Sequence, residues 1–213
     1  WMLRNDLIVD RFAFQSSIRQ RTVLHLAQRY KVDVPRAERV AAYALSLYSQ
    51  GQGVLHNDDG SGRQLLWAAA MLHSCGQHIN SGAYHKHSWY LIRHGELLGY
   101  SDSEHLMVAA IARYHRRSLP KKRHESWQLI ESREQRRTVA SMALLLRLAV
   151  ALDRRPEAVV AGIQLRSSGN SACSIRLEPM QSGLDLSLER WSLAGCAAAV
   201  EEAVGVRLSV QEP

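Results

Sequence analysis

The chain has 213 residues, 46% of them hydrophobic and 22% charged, a balance that excludes intrinsic disorder and supplies a core for one domain or two small ones. Its 27 Lys and Arg outnumber 20 Asp and Glu, and this formal +7 favours anionic partners without separating nucleic acid, polyphosphate, nucleotides or a membrane surface. The three cysteines, Cys75, Cys173 and Cys196, are far apart and form no CxxC pair, which argues against a disulfide framework or a zinc knuckle and fits a reducing cytosol.

The N-terminus has no apolar signal-peptide core, and a start at Trp1 rather than methionine reads as a fragment, with Met2 as the alternative start. From about Arg11 to Tyr30, Phe14, Ile18, Val23, Leu24 and Ala27 are spaced for one helical stripe. Asp33 is placed to cap a second helix with Pro35 in its first turn, running to about Gln50. GQGVLHNDDGSG is a loop by composition. RQLLWAAAMLHSCG is apolar on nearly every side, so it is predicted as a central buried helix terminated by Gly76. A turn, INSGAYH, leads into the short helix HKHSWYLIRHG, and Ser101 with Glu104 forms a capping box opening the next helix. A basic loop around Pro120 precedes a long helix from roughly Arg133 to Arg154. Its apolar run ASMALLLRLAVAL is interrupted by Arg147 and is too short to span a bilayer.

After Pro156 the apolar period becomes alternating. Ile163 and Leu165, Ile175 and Leu177, Leu184, Leu186 and Leu188, and Val206, Leu208 and Val210 read as four half-buried strands, largely antiparallel. An alanine-rich helix, capped by Ser192 and stopped by Gly205, falls between the last two. The expected architecture is therefore mainly α: a helical domain over 1–156 followed by a small β-β-β-α-β unit over 157–213.

The chemically loaded residues are histidines. His73 ends the buried helix, where a histidine is commonly just a hydrogen-bonded core residue. His85 and His87 are two apart and point in different directions on a helix. His115 is expected at the edge of an apolar face. Together, LLWAAAMLHSCGQHINSGAYHKHSWYLIRHGELLGYS, ARYHRRSLPKK and IRQRTVLHLAQRY resemble the C-terminal, HD-like domain of the exopolyphosphatase and guanosine-pentaphosphate phosphohydrolase family, from about Leu7 to the end of the chain.

The resemblance implies an HD fold, and the departures from it concern its metal. An active HD centre holds a divalent ion with histidines and aspartates, and its open position activates water. The aspartate expected after His73 is Ser74, and the late motif has Val150 after Ala149. Asp153, one turn on, corresponds to a partner residue rather than a ligand. The expectation is therefore no catalytic residue, no bound metal and no cofactor in this chain. The resemblance implies an N-terminal actin-like domain of the same protein that carries the hydrolytic chemistry, with Mg2+ there. The chain itself contains no GxxxxGK[ST] loop, GxSxG elbow or HExxH motif.

RYHRRSLPKKR is the densest positive stretch. It reads either as a solvated helix end or as a track for a phosphate chain, to which arginine forks bind well. The candidate anion-binding residues are His73, His85, Lys86, His87, Arg113, His115, Arg116, Arg117, Lys121 and Lys122. Trp67, Trp89, Trp127 and Trp191 fall mostly at helix positions that look packed, which favours phosphate chains over nucleic acid, since nucleic acid asks for exposed aromatics. The expected function is a non-catalytic region binding polyphosphate or guanosine polyphosphate, in a cytoplasmic homodimer without membrane attachment. The alternatives are a pure dimerisation and scaffolding module and a surviving HD metallophosphohydrolase.

Overall fold

In the computed structural model, residues 17–169 and 171–211 are described. Phe14 and the early part of the first predicted helix lie outside them. Helix α1 spans Ile18–Arg29 and opens on a capping box, the Ser17 side chain accepting from the Gln20 amide while the Gln20 side chain accepts from that of Ser17. Helix α2 spans Val34–Gln50, with Asp33 accepting from the Arg36 amide and Pro35 in the first turn, as the sequence indicates.

Helix α3, Gly62–Leu72, buries Leu65, Leu66, Ala68, Ala69, Ala70, Met71 and Leu72, and is the central helix expected from its all-round apolar surface. It ends before Gly76, which is not its terminator. Gly76 belongs to a 3-10 turn over Cys75–His78, and a Cβ there would collide with the Tyr84 carbonyl and the Ser88 amide. This glycine lets the turn press against helix α4, Tyr84–Arg93, where the Ser88 hydroxyl accepts from the Gly76 amide and donates to the His73 carbonyl. Helix α5, Asp102–Tyr114, starts at the Ser101–Glu104 capping box. After the short α6, Glu125–Gln128, the long α7, Arg133–Leu152, runs through the core and packs on α2, α3 and α5. Among the described residues, no helix is long and apolar enough to cross a membrane.

The C-terminal part departs from the expected four strands. Strand β1, Val160–Ser167, pairs antiparallel with β2, Ala172–Pro179, and β3, Arg207–Val210, adds to β2 in parallel. The segment Leu184–Glu189, expected as a strand, is a loop to Leu186 and then helix α8, Ser187–Ala194. Glu189 and Leu193, four residues apart, are both fully buried on one helical face, so the leucine alternation that suggested a strand was incidental. Ser192 lies inside α8 and caps nothing. A second helix α9, Ala197–Val204, follows and ends at Gly205, whose φ of 70° closes it as expected. The order is thus β-β-α-α-β, and the main architecture, a helical core with a small β unit, agrees with the sequence.

The β unit sits on the helical core. The Tyr43 hydroxyl donates to the Val160 carbonyl at 2.7 Å. The Gln50 side chain donates to the Ile163 carbonyl and accepts from the Leu165 amide, both at 2.8 Å. Glu189 pairs with Arg155 at 3.1 Å, an approach held by charge attraction, because its angle gives neither buried carboxylate oxygen a true hydrogen bond. These links turn α8 towards the ends of α2, α3, α5 and α7.

Candidate functional site

Two helices end side by side at histidines. His73 follows Leu72 at the end of α3 and His115 follows Tyr114 at the end of α5, and their ring centroids lie 5.3 Å apart at 85°. Each Nδ1 faces the carbonyl three residues back, Ala70 at 2.7 Å and Ala112 at 2.6 Å. A carbonyl only accepts, so each Nδ1 carries the proton and each Nε2 presents a lone pair while the ring is neutral. Burial holds both imidazoles below their usual value, His115 further because His73 lies beside it. The Tyr84 hydroxyl, from α4, donates to His115 Nε2 at 3.0 Å. His115 is thus fully enclosed rather than at the edge of a face.

The residues around this pair do not suit a metal. Ser74 and Val150 border the same space and supply no carboxylate. Asp153 is buried, but Arg36 Nε lies 2.6 Å from one of its oxygens and Arg39 Nε 3.1 Å from the other. Both oxygens are therefore committed to guanidinium groups. Among the described residues no group of three or more His, Cys, Asp or Glu side chains is placed to hold a metal ion.

What surrounds the pair instead is positive charge. A cavity of about 840 Å³ opens over His73 and His115 and is lined by Lys31, Arg36, Arg116, Arg117, Arg147 and Arg154, against two carboxylates, Asp33 and Asp153. Asp33 caps α2 and Asp153 lies between Arg36 and Arg39, and with both carboxylates counted the lining keeps an excess of positive charge. Arg116 lies over the Tyr84 ring, 4.6 Å from its centroid. Arg147 reaches from α7 and donates to the Tyr114 and Arg117 carbonyls at 3.2 and 2.8 Å.

Among the described residues three non-glycines have left-handed backbone: Lys31 at φ 52°, Ala83 at 53° and Arg117 at 63°. Lys31 and Arg117 line the cavity, and Ala83 immediately precedes Tyr84, which lines it too. Such conformations cost energy and persist where the surroundings hold them. Two of the three line the cavity and the third adjoins a residue that does.

Of the sequence candidates, His73, His115, Arg116 and Arg117 meet in this cavity, and the other six do not line it. His85 is buried on α4 with an unpartnered Nδ1, and burial with the nearby Arg113, Arg116, Lys86 and Arg117 charges lowers its pKa to about 4. Arg113 packs against Tyr114, 5.6 Å from the ring centroid, and Lys86, Lys121 and Lys122 are exposed. His87 is half-buried on α4, which packs against α5.

Sequence reasoning missed Lys31, Arg36, Arg147, Arg154, Tyr84 and Trp191. Arg147 had a signal, since a lone cation within an apolar helix must reach polar partners. Trp191 had none, because its exposure depends on which face of α8 the core takes. The expectation of packed tryptophans holds for Trp67, Trp89 and Trp127, which are partly buried against the core. It fails for Trp191, which is 72% exposed at the cavity.

Residues 18–194 match the family described as Ppx/GppA phosphatase, domain III. A guanosine-5'-triphosphate,3'-diphosphate pyrophosphatase of Pseudoalteromonas translucida (strain TAC 125) is 41% identical over 106 residues, 50% of the chain and 21% of that protein. Proteins of the same name from Pseudoalteromonas atlantica and Vibrio campbellii are 30% and 34% identical over 141 and 142 residues, each 66% of the chain and 27% of the relative. The chain spans less than a third of the length of these relatives.

Proposed function

Since the chain belongs to the Ppx/GppA phosphatase family, as its domain III, we propose that it is a non-catalytic region that binds a phosphate chain, of polyphosphate or guanosine polyphosphate, where an HD centre would hold metal. One observation carries this: six cationic side chains line one cavity against two carboxylates, and only Arg36 of the six is paired with one of them, Asp153. Such a cavity attracts anions and disfavours a divalent cation. Arginine forks match phosphate oxygens, and Tyr84 backs the Arg116 guanidinium so that it is held ready. The neutral imidazoles contribute shape, because their Nδ1 protons are spent on Ala70 and Ala112.

In the parent protein this region would adjoin an N-terminal actin-like domain that uses Mg2+ to hydrolyse phosphoanhydride bonds, within a cytoplasmic homodimer. The relatives are named as pyrophosphatases of a guanosine polyphosphate, which supports the hydrolytic part of that setting. The exposed Lys86, Lys121 and Lys122, together with Arg113, would extend the positive field along a longer chain.

The test is a titration of the 213-residue chain with long-chain polyphosphate over a range of salt, comparing wild type with Arg116→Ala/Arg154→Ala. Wild type should bind, and binding should weaken steeply with salt, since charges in water are screened over about 10 Å at 0.1 M. The double variant should bind at least ten-fold more weakly. Equal binding by both proteins would remove the cavity from the proposal, and no binding by either would favour the scaffolding role.

A further inference from the structure

We infer that the cavity takes a nucleoside polyphosphate, with Trp191 as the platform on which the nucleobase stacks. This rests on the phosphate-chain reading of the cavity and specifies its ligand.

The first ground is the placement of Trp191. Helix α8 turns Glu189 and Leu193 into the core, and Trp191, two residues from each, is thereby sent to the opposite face. It is 72% exposed, the most exposed of the large hydrophobic side chains described, yet it borders a cavity lined with arginines. A tryptophan left in water forgoes most of its burial energy.

The second ground is that the other large aromatics of the cavity are already occupied. Tyr84 carries Arg116 on its face and donates its hydroxyl to His115. Tyr30 packs against His78, with centroids 5.8 Å apart, and has Arg29 at 5.7 Å. Among the described residues Trp191 has neither an aromatic nor a cationic partner on its ring.

The third ground is size. A space of about 840 Å³ lies within the range of small-molecule sites and has room for a nucleoside as well as its phosphates. Arginines and a free indole lining one cavity are the two recognition elements that a nucleoside polyphosphate needs. The phosphates take the guanidinium groups, and the base takes the ring face, which is tolerant of base identity.

The experiment uses ligands that differ by the nucleoside alone. Guanosine 5'-triphosphate and inorganic tripolyphosphate are titrated into the chain as wild type, Trp191→Ala and Trp191→Phe, with indole fluorescence as a second readout. Wild type should bind the nucleotide about ten-fold more tightly than tripolyphosphate, with quenching that Trp191→Ala abolishes. Trp191→Ala should erase the preference while leaving tripolyphosphate affinity unchanged, and Trp191→Phe should restore part of it. Because Trp191 is exposed, both variants should fold. If tripolyphosphate binds and the nucleotide gains nothing over it, or if the preference survives in Trp191→Ala, the inference is overturned and the phosphate-chain reading stands. If neither ligand binds, both fall. If Trp191→Ala changes only the sedimentation of the chain, Trp191 belongs to a contact between copies and the inference is likewise overturned.

Discussion

Arg147 Nη2 donates to the Arg117 carbonyl at 2.8 Å, and Arg117 is a residue whose backbone stands in the left-handed region at φ 63°. A charge drawn from the middle of the apolar helix α7 thus holds the strained turn that presents Arg116 and Arg117 to the cavity. Replacing Arg147 with leucine leaves the Tyr114 and Arg117 carbonyls without this donor. The expected loss is about 1–3 kcal/mol in urea unfolding, with weaker polyphosphate binding.

Arg117→Asn should move stability and binding in opposite directions. Asparagine tolerates the left-handed region better than arginine, so unfolding stability should rise by roughly 1 kcal/mol. Polyphosphate affinity should fall, because a cavity cation is lost. A variant that lost stability would mean that Arg117 contributes packing beyond its backbone strain.

Asp153→Asn tests the clamp. The carboxylate is buried between Arg36 and Arg39, whose side chains keep 43% and 24% exposure and can rehydrate. Stability should drop by about 1–3 kcal/mol rather than the larger cost of a fully buried pair. With one negative charge removed beside the cavity, polyphosphate should bind more tightly, as isothermal titration would read.

Acid should destabilise the fold through its buried histidines. Burial lowers the pKa values of His73, His85 and His115 in the folded state, so the unfolded chain binds protons first. The stability they contribute is full above pH ~6.5 and is lost as pH falls through that value towards about 4, where folded His85 titrates. Urea midpoints measured from pH 7.5 to 4.5 should fall steadily, and less steeply in His85→Leu once its own baseline is subtracted.

Gly76→Ala should be severe for its size. The added methyl meets the Tyr84 carbonyl and the Ser88 amide, both backbone, so α4 must retreat from the Cys75–His78 turn. A loss of roughly 1–3 kcal/mol is expected in thermal or urea unfolding. The Tyr84–His115 hydrogen bond should weaken with it, since Tyr84 opens α4.

The sequence by itself determined the helical elements and their starts. The Ser101–Glu104 capping box, the Asp33–Pro35 start, the buried α3 and the Gly205 stop are local chemistry, and a cap needs only the backbone within three or four residues. The absence of a carboxylate at Ser74 and Val150 was legible for the same reason, being a matter of residue type. Tertiary structure decided what depends on residues distant in the chain. Leu184–Glu189 alternates like a strand, but burial of Glu189 against Arg155 and of Leu193 in the core selects a helix. Gly76 read as a helix stop, whereas its reason is the close approach of α4. Lys31, Arg36, Arg147 and Arg154 joined His73 and His115 only when the ends of five helices met, because a field of charge is summed in space and leaves no spacing in the sequence.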